Sequence, residues 1–415
     1  MRLARAWLTR AVEPGRGAVF DLVSEVGPVE AVRLLRAGEG PGTVTALAEA
    51  RRRQDRAAAD LAEAHRLGAR LVTPEDREWP DEALRAMQIA YDRERPGRTG
   101  SGLRATQVAY DRERPGRTGS GRPDDQVELT PPLALWTLGG PPLADAFARA
   151  VAVVGSRSAS PYGLSVAATL GHGLVGSGWA VVSGGAFGID AAAHRGALAG
   201  GGLTIAIVAG GLRHPYPRAH ESLFARIGRD GLMVSEFPPD ATPQRHRFLV
   251  RNRLVAGLTS GTVVVEAGVR SGALATARQG LRMGRTVMAV PGPVTSHESA
   301  GVHGLLRSDP EVVLVTRTEE VVEAVGELGT DLAERPQAPA DPRDKLAPLA
   351  RQVLDGLPTV GVATPDRIAV SCGVPPLDVL RCLPGLELQG FVEATSAGWQ
   401  LGPAARPPRR RSAPS

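Results

Sequence analysis

From residue 150 to 325 the chain repeats one pattern: a short Val/Ile-rich run, a glycine turn, then a helical stretch. The runs are VAVVGSR, WAVVSGG, LTIAIVAGG, LMVSEF, TVVVEAG, TVMAVPG and EVVLVT, most of them separated by segments such as YGLSVAATLGHGLVGSG and ALATARQGLRMG. Strands buried on both faces read as continuous apolar runs, and connections of this length are crossover helices. The pattern predicts an α/β fold with a Rossmann-like, doubly wound sheet.

Other segments arrange themselves around that sheet. Residues 1–69 read as a helical domain. AVFDLVSEVGPVEAVRLLRAG places apolar residues three and four apart on both sides of Gly27-Pro28, and TALAEARRRQDRAAADLAEAHRLGA reads as one charged amphipathic helix. Residues 70–140 open the sheet region, with strand-and-turn pieces in LVTPEDREWPDEAL and LTPPLALWTLGG. Between those pieces LRAMQIAYDRERPGRTGSG, at 84–102, recurs at 103–121 with only Met87/Thr106 and Ile89/Val108 changed. Two units are too few for a solenoid, and the Arg/Gly/Ser-rich copies predict a mobile surface loop over 84–121. The sheet domain is expected over 141–328 and a Pro/Ala/Asp linker over 329–344. Residues 345–403 read as three helices and a closing strand pair, a winged helix, and 404–415 as a basic, disordered tail.

Of the 49 basic residues only Lys345 is a lysine, and the net charge is +5. Arginine keeps its charge and forks onto phosphate, so the balance favours a polyanionic partner. An Ala/Arg/Gly-rich composition explains the arginine total, but not its clustering at 245–253. Cys372 and Cys382 form no CxxC and join no zinc-spaced cluster, which fits a reducing compartment without disulfides or metal. The first residues lack the apolar core of a signal peptide, and no run of about 18 apolar residues exists to span a bilayer. A cytoplasmic protein with no membrane partner is expected.

In an open α/β sheet the ligand lies beyond the carboxyl ends of the strands. There the sequence sets Gly155-Ser156-Arg157, then Ser183-Gly184 running on to Phe187-Gly188, then Glu266-Ala267-Gly268 and Ser271-Gly272. Small residues let backbone amides approach an anion, and helix N-termini add positive dipole. Neither GSRSASPYG nor SGGAFGID meets the GxGxxG fingerprint and no GK[ST] follows, so no nucleotide cofactor is expected. Asp190, Glu236 and Glu266 are open to roles as general acids or bases, or as caps and arginine partners; His194 stands at i+4 from Asp190 and could pair with it. Arg245, Arg247, Arg251 and Arg253 surround Phe248 in a segment leading into an apolar helix. Arginine interleaved with an aromatic suits single-stranded nucleic acid, where guanidinium holds phosphate and a ring stacks a base.

Taken in order, VAVVGSRSASPYG, VVSGGAFGIDAAAHRGAL, GGLTIAIVAGGLRHPYP, GLMVSEFPP, FLVRNRLVAGL, VVVEAGVRSGALATA and GRTVMAVPGPVTSHESAGVHGLL resemble the DNA-processing protein A (DprA/Smf) family over about 70–325. The resemblance implies a SAM-like helical N-domain, an extended Rossmann domain and a winged-helix C-domain. It also implies a non-enzymatic protein that binds single-stranded DNA in a basic pocket, forms a homodimer through the Rossmann domain, and loads RecA recombinase onto DNA taken up in natural transformation. The family's pocket residues correspond to Arg157 of the GSR turn, Arg218 of YPRAH, and Phe248, Arg251, Asn252 and Arg253 of FLVRNR. Its glycine/serine loops correspond to Ser183, Gly184, Gly188, Ser271, Gly272 and Thr276. His220 stands where the family usually carries asparagine. The rival reading is an enzyme resembling the phosphoribohydrolases of related Rossmann core, with Glu266 as catalytic glutamate; GVRSGALAT lacks their PGGxGT block.

Overall fold

The strands predicted from the Val/Ile runs all form. In a computed structural model that describes residues 1–95, 127–327, 330–333 and 342–405, they are β3 (Ala150–Val154), β4 (Ala180–Ser183), β5 (Thr204–Ile207), β6 (Leu232–Ser235), β7 (Gly261–Val264), β8 (Thr286–Ala289) and β9 (Val313–Leu314). All pair in parallel. The two strand pieces upstream are β1 (Ala69–Val72) and β2 (Leu135–Gly139), which add antiparallel at the β6 edge. The sheet order is β1-β2-β6-β5-β4-β3-β7-β8-β9. Chain order reverses beside β3, whose neighbours are β4 and β7, and that reversal opens a crevice beyond the carboxyl ends.

Alternation explains why these strands need apolar residues throughout. Ala150, Ala152 and Val154 of β3 enter the core on one face of the sheet, while Val151 and Val153 enter the core on the other. Each fully buried valine or isoleucine contributes about 1.5–3 kcal/mol, so both faces of such a strand favour the same fold.

The N-terminal helices have no separate core. Ala6, Trp7, Leu8 and Leu35 pack in one cluster with Trp136, Ala206, Phe224 and Met233 of the sheet region, and Trp136 Nε1 donates to Thr9 Oγ1 at 3.2 Å. Residues Met1–Ala333 accordingly form one compact unit and Glu334–Ser415 a second. The single amphipathic helix expected after residue 44 is two, Gly42–Ala48 and Ala57–Arg66. The break lets Ala48 and Ala57 both enter the same core, and it turns Arg51 back onto Glu13 at 2.8 Å.

The expected loop over 84–121 is also corrected in its first part. Leu84–Glu94 lies in the helix Asp81–Glu94, which buries Leu84, Met87, Ala90 and Tyr91. The Tyr91 hydroxyl bonds Asp21 Oδ1 at 2.9 Å and the Gly17 carbonyl at 3.0 Å. The apolar stripe that forces this helix was present in LRAMQIAY, outweighed in the reading by the polar residues behind it. Residues 96–121 lie outside the described residues, as do 406–415 of the expected tail.

In the second unit, helices Pro348–Asp355, Pro365–Cys372 and Pro376–Leu388 precede a hairpin of β10 (Val392–Thr395) and β11 (Gly398–Leu401). Val353, Ile368, Val379, Leu383 and Phe391 form its core. On the third helix Leu377 and Leu380 are exposed and Arg381 is paired to Asp378 at 3.2 Å. Cys372 and Cys382 are free thiols, and among the described residues no helix is long and apolar enough to cross a membrane.

Candidate nucleic-acid interface

Beyond the ends of β3, β4 and β7 lies a cleft of about 1400 Å³. Small-molecule sites usually occupy about 300–1,000 Å³, so this one has room for a longer ligand. Gly155, Ser156 and Arg157 follow β3 into it, Gly184 follows β4, and Ser271, Gly272 and Thr276 belong to the turn and helix after β7. Ser271 caps the helix Gly272–Arg282 by accepting from the Ala273 amide at 3.3 Å, so the positive end of that helix faces the cleft.

One wall is the helix Arg245–Gly257, and it explains which arginines reach the cleft. An α-helix turns about 100° per residue. Arg245, Phe248, Leu249, Arg251, Asn252 and Val255 therefore fall on one face and line the cleft. Arg247 and Arg253 fall on the opposite face. The segment around Phe248 is thus helical from its start rather than a lead-in to a helix, and its arginines divide by angle.

Arg157, Arg245 and Arg270 are exposed and make no ion pair among the described residues. Arg251 is only 5% exposed. Its Nη1 donates to the Ile207 carbonyl at 2.6 Å and its Nε, buried, has no partner among the described residues. Burial pushes this guanidinium down to about 10, with the nearby Arg157 charge acting the same way and Asp190 opposing. Asp190 accepts from the amides of Gly184 and Ala186 at 3.1 and 3.3 Å, and its burial raises the carboxyl above the usual range. A methyl group on Gly184 would overlap the Arg251 guanidinium, which is why the turn after β4 has glycine there. The cleft also carries Glu298, but its lining charge is predominantly positive.

Several residues singled out in the sequence lie elsewhere. Arg247 forks onto Glu13 at 2.6 and 3.0 Å and stacks over Phe237, tying the wall helix to the N-terminal helices. Arg253 is fully buried against Glu236. Ser183 donates to the Val153 carbonyl at 2.6 Å, holding β4 to β3. Gly188 takes φ 75° at the start of helix Ile189–Ala199, where a side chain would strike the Ser156 carbonyl. Phe187 is exposed and meets His220 edge-on at 4.6 Å, outside the cleft lining. Arg218 is exposed in a short 3-10 turn, also outside it. The pair imagined from Asp190 and His194 does not form, because Asp190 turns to the loop amides and His194 Nδ1 to Thr204 Oγ1 at 2.7 Å.

Glu266 is 1% exposed and does not line the cleft. It accepts from the Ser160 amide at 2.9 Å and the Ser160 hydroxyl at 2.6 Å, closing the start of helix Pro161–Gly176. Among the lining residues that the sequence did not single out are Tyr216, Arg270, His297 and Glu298. Arg270 carried a usable signal, standing in the loop after β7 between Gly268 and Ser271.

The chain has relatives among known proteins. The family described as DNA recombination-mediator protein A matches residues 125–326, and the DprA winged helix domain matches 336–398. A Mycobacterium tuberculosis protein named DNA processing protein DprA is 44% identical over 96% of this chain and 94% of its own length. Protein Smf of Escherichia coli is 38% identical over 60% of this chain and 67% of its own length. The crystal structure of DNA processing protein A from Streptococcus pneumoniae superposes with a TM-score of 0.57 at 25% identity, covering 78% of this chain and 96% of that one. Shared sequence along nearly the whole length, with both domains matched, means that this chain belongs to the DprA/Smf family.

Proposed function

We propose that the cleft binds single-stranded DNA and that the protein is a recombination mediator rather than an enzyme. The observation that carries this reading is the pairing of unneutralised arginine with aromatic side chains in one crevice: Arg157, Arg245 and Arg270 beside the exposed Tyr216 and the half-buried Phe248. Guanidinium groups hold successive phosphates, and rings reward only bases that are free to leave a stack. A duplex keeps its bases stacked and gains nothing from the rings.

Anisotropy of a labelled oligonucleotide, with the duplex of the same sequence as competitor, tests the reading. Single-strand binding that duplex competes poorly is expected; equal competition by duplex would contradict it. Family membership supports the further steps: the protein shields incoming DNA, loads RecA recombinase on it, and acts as a cytoplasmic homodimer joined through its Rossmann domain. Sedimentation of the purified chain checks the dimer, and RecA filament formation on coated DNA checks the loading.

The rival enzymatic reading requires Glu266 to meet a nucleotide. With both carboxylate oxygens engaged by Ser160 and the side chain out of the cleft, the geometry favours a capping role instead.

A further inference from the structure

Phe248 is the ring that the FLVRNR segment supplies, yet its surroundings are already taken. The Arg157 guanidinium carbon lies over that ring, 5.2 Å from its centroid. Tyr216 meets it from another side, edge-to-face, with centroids 5.8 Å apart and planes at 73°. Tyr216 itself lines the cleft and is 49% exposed. Its hydroxyl makes no hydrogen bond among the described residues.

We propose that Tyr216 is the base-stacking residue of the cleft and that Phe248 serves as its buttress. The inference rests on the single-strand reading and deepens it. A stacking platform needs a free π-face held in a fixed attitude. Phe248 is held in place but half-buried, with a cation over its ring. Tyr216 is the exposed ring of the two, and its T-shaped contact with Phe248 fixes its plane. Arg157 and Arg245, both exposed on the same cleft, stand where phosphates flanking a stacked base would be received. The hydroxyl holds no part of the surrounding structure among the described residues, so phenylalanine should keep the ring in the same place.

The test compares an oligothymidine with an abasic oligomer of the same phosphate count, using the full chain and its Tyr216→Ala and Tyr216→Phe variants. The wild type is expected to bind oligothymidine roughly tenfold more tightly than the abasic oligomer, the order of one stacked base. Tyr216→Ala should lose that preference while keeping its affinity for the abasic oligomer and its salt dependence. Tyr216→Phe should keep it. A Tyr216→Ala protein that retains the preference, or loses affinity for both oligomers equally, would overturn the assignment. Equal wild-type binding of the two oligomers would overturn the stacking role and leave phosphate binding standing. Failure of the wild type to bind either would overturn the single-strand reading with it.

Discussion

Arg253 forks onto Glu236, its two Nη atoms donating to the two carboxylate oxygens at 2.8 and 2.7 Å, with the arginine side chain completely shielded from solvent. Glu236 directly follows β6 and Arg253 sits on the wall helix, so the pair fastens the cleft's wall to the sheet. Arg253, expected from the FLVRNR segment to line the pocket, is thereby a structural strut.

Arg253→Ala would leave a buried carboxylate unpaired, which costs about 3–5 kcal/mol. Urea denaturation should register that loss, while the fraction that remains folded keeps its DNA affinity. Lost affinity at unchanged stability would place Arg253 in the binding surface instead.

Arg157 and Arg245 should behave in the opposite way. Both are exposed and unpaired, so alanine there should change stability by no more than about 0.5 kcal/mol. Each substitution should flatten the dependence of log affinity on log salt by about 0.7, the share of one single-strand phosphate contact. Arg251→Ala should show both effects, since that side chain lines the cleft and also bonds the Ile207 carbonyl from a buried position.

His194 gives the fold a pH dependence. Thr204 Oγ1 donates to the Val181 carbonyl at 3.0 Å and so must accept from His194 Nδ1–H, leaving Nε2 buried and without a partner among the described residues. Burial first, then the neighbouring Arg251 charge, lowers this ring from 6.5 to about 3. Between those values the unfolded chain holds a proton that the folded protein does not, so stability falls as pH drops below about 6.5 by at most about 1.4 kcal/mol per unit. Stability curves of the wild type and His194→Asn across that window should differ in slope, the variant being flatter. Parallel curves would remove His194 from the account.

Glu266→Gln tests the capping role of that carboxylate. A net loss of about 1–3 kcal/mol is expected, from weakening the two bonds to Ser160. Free base should not be released from nucleoside monophosphates by either form. Release by the wild type that Glu266→Gln abolishes would revive the enzymatic reading.

The sheet was legible because parallel strands need apolar residues on both faces, and runs such as VAVV and TVVV have almost no other use. The position of the cleft followed from topology, since the turns after β3, β4 and β7 converge wherever strand order reverses. What stayed hidden was angular. FLVRNR reads as a dense basic cluster, yet a helix sends Arg251 and Arg253 to opposite faces, and the pairing of Arg247 with Glu13 and of Arg253 with Glu236 decides which face turns away from the cleft. Tyr216 was missed for a related reason: it reaches the cleft from the loop after β5, distant in sequence from Phe248, and nothing local marks that contact. The half of the first repeat copy that packs as helix was visible as an apolar stripe, obscured by the polar half beside it.

The most direct test of the central claim is the affinity of the wild-type protein for a single-stranded oligonucleotide, measured by anisotropy across a salt series. If Arg157, Arg245, Arg251 and Arg270 receive phosphates, log affinity should fall against log salt with a slope of about −3. A slope near zero, or no binding at low salt, would mean that this cleft does not hold a nucleic-acid strand.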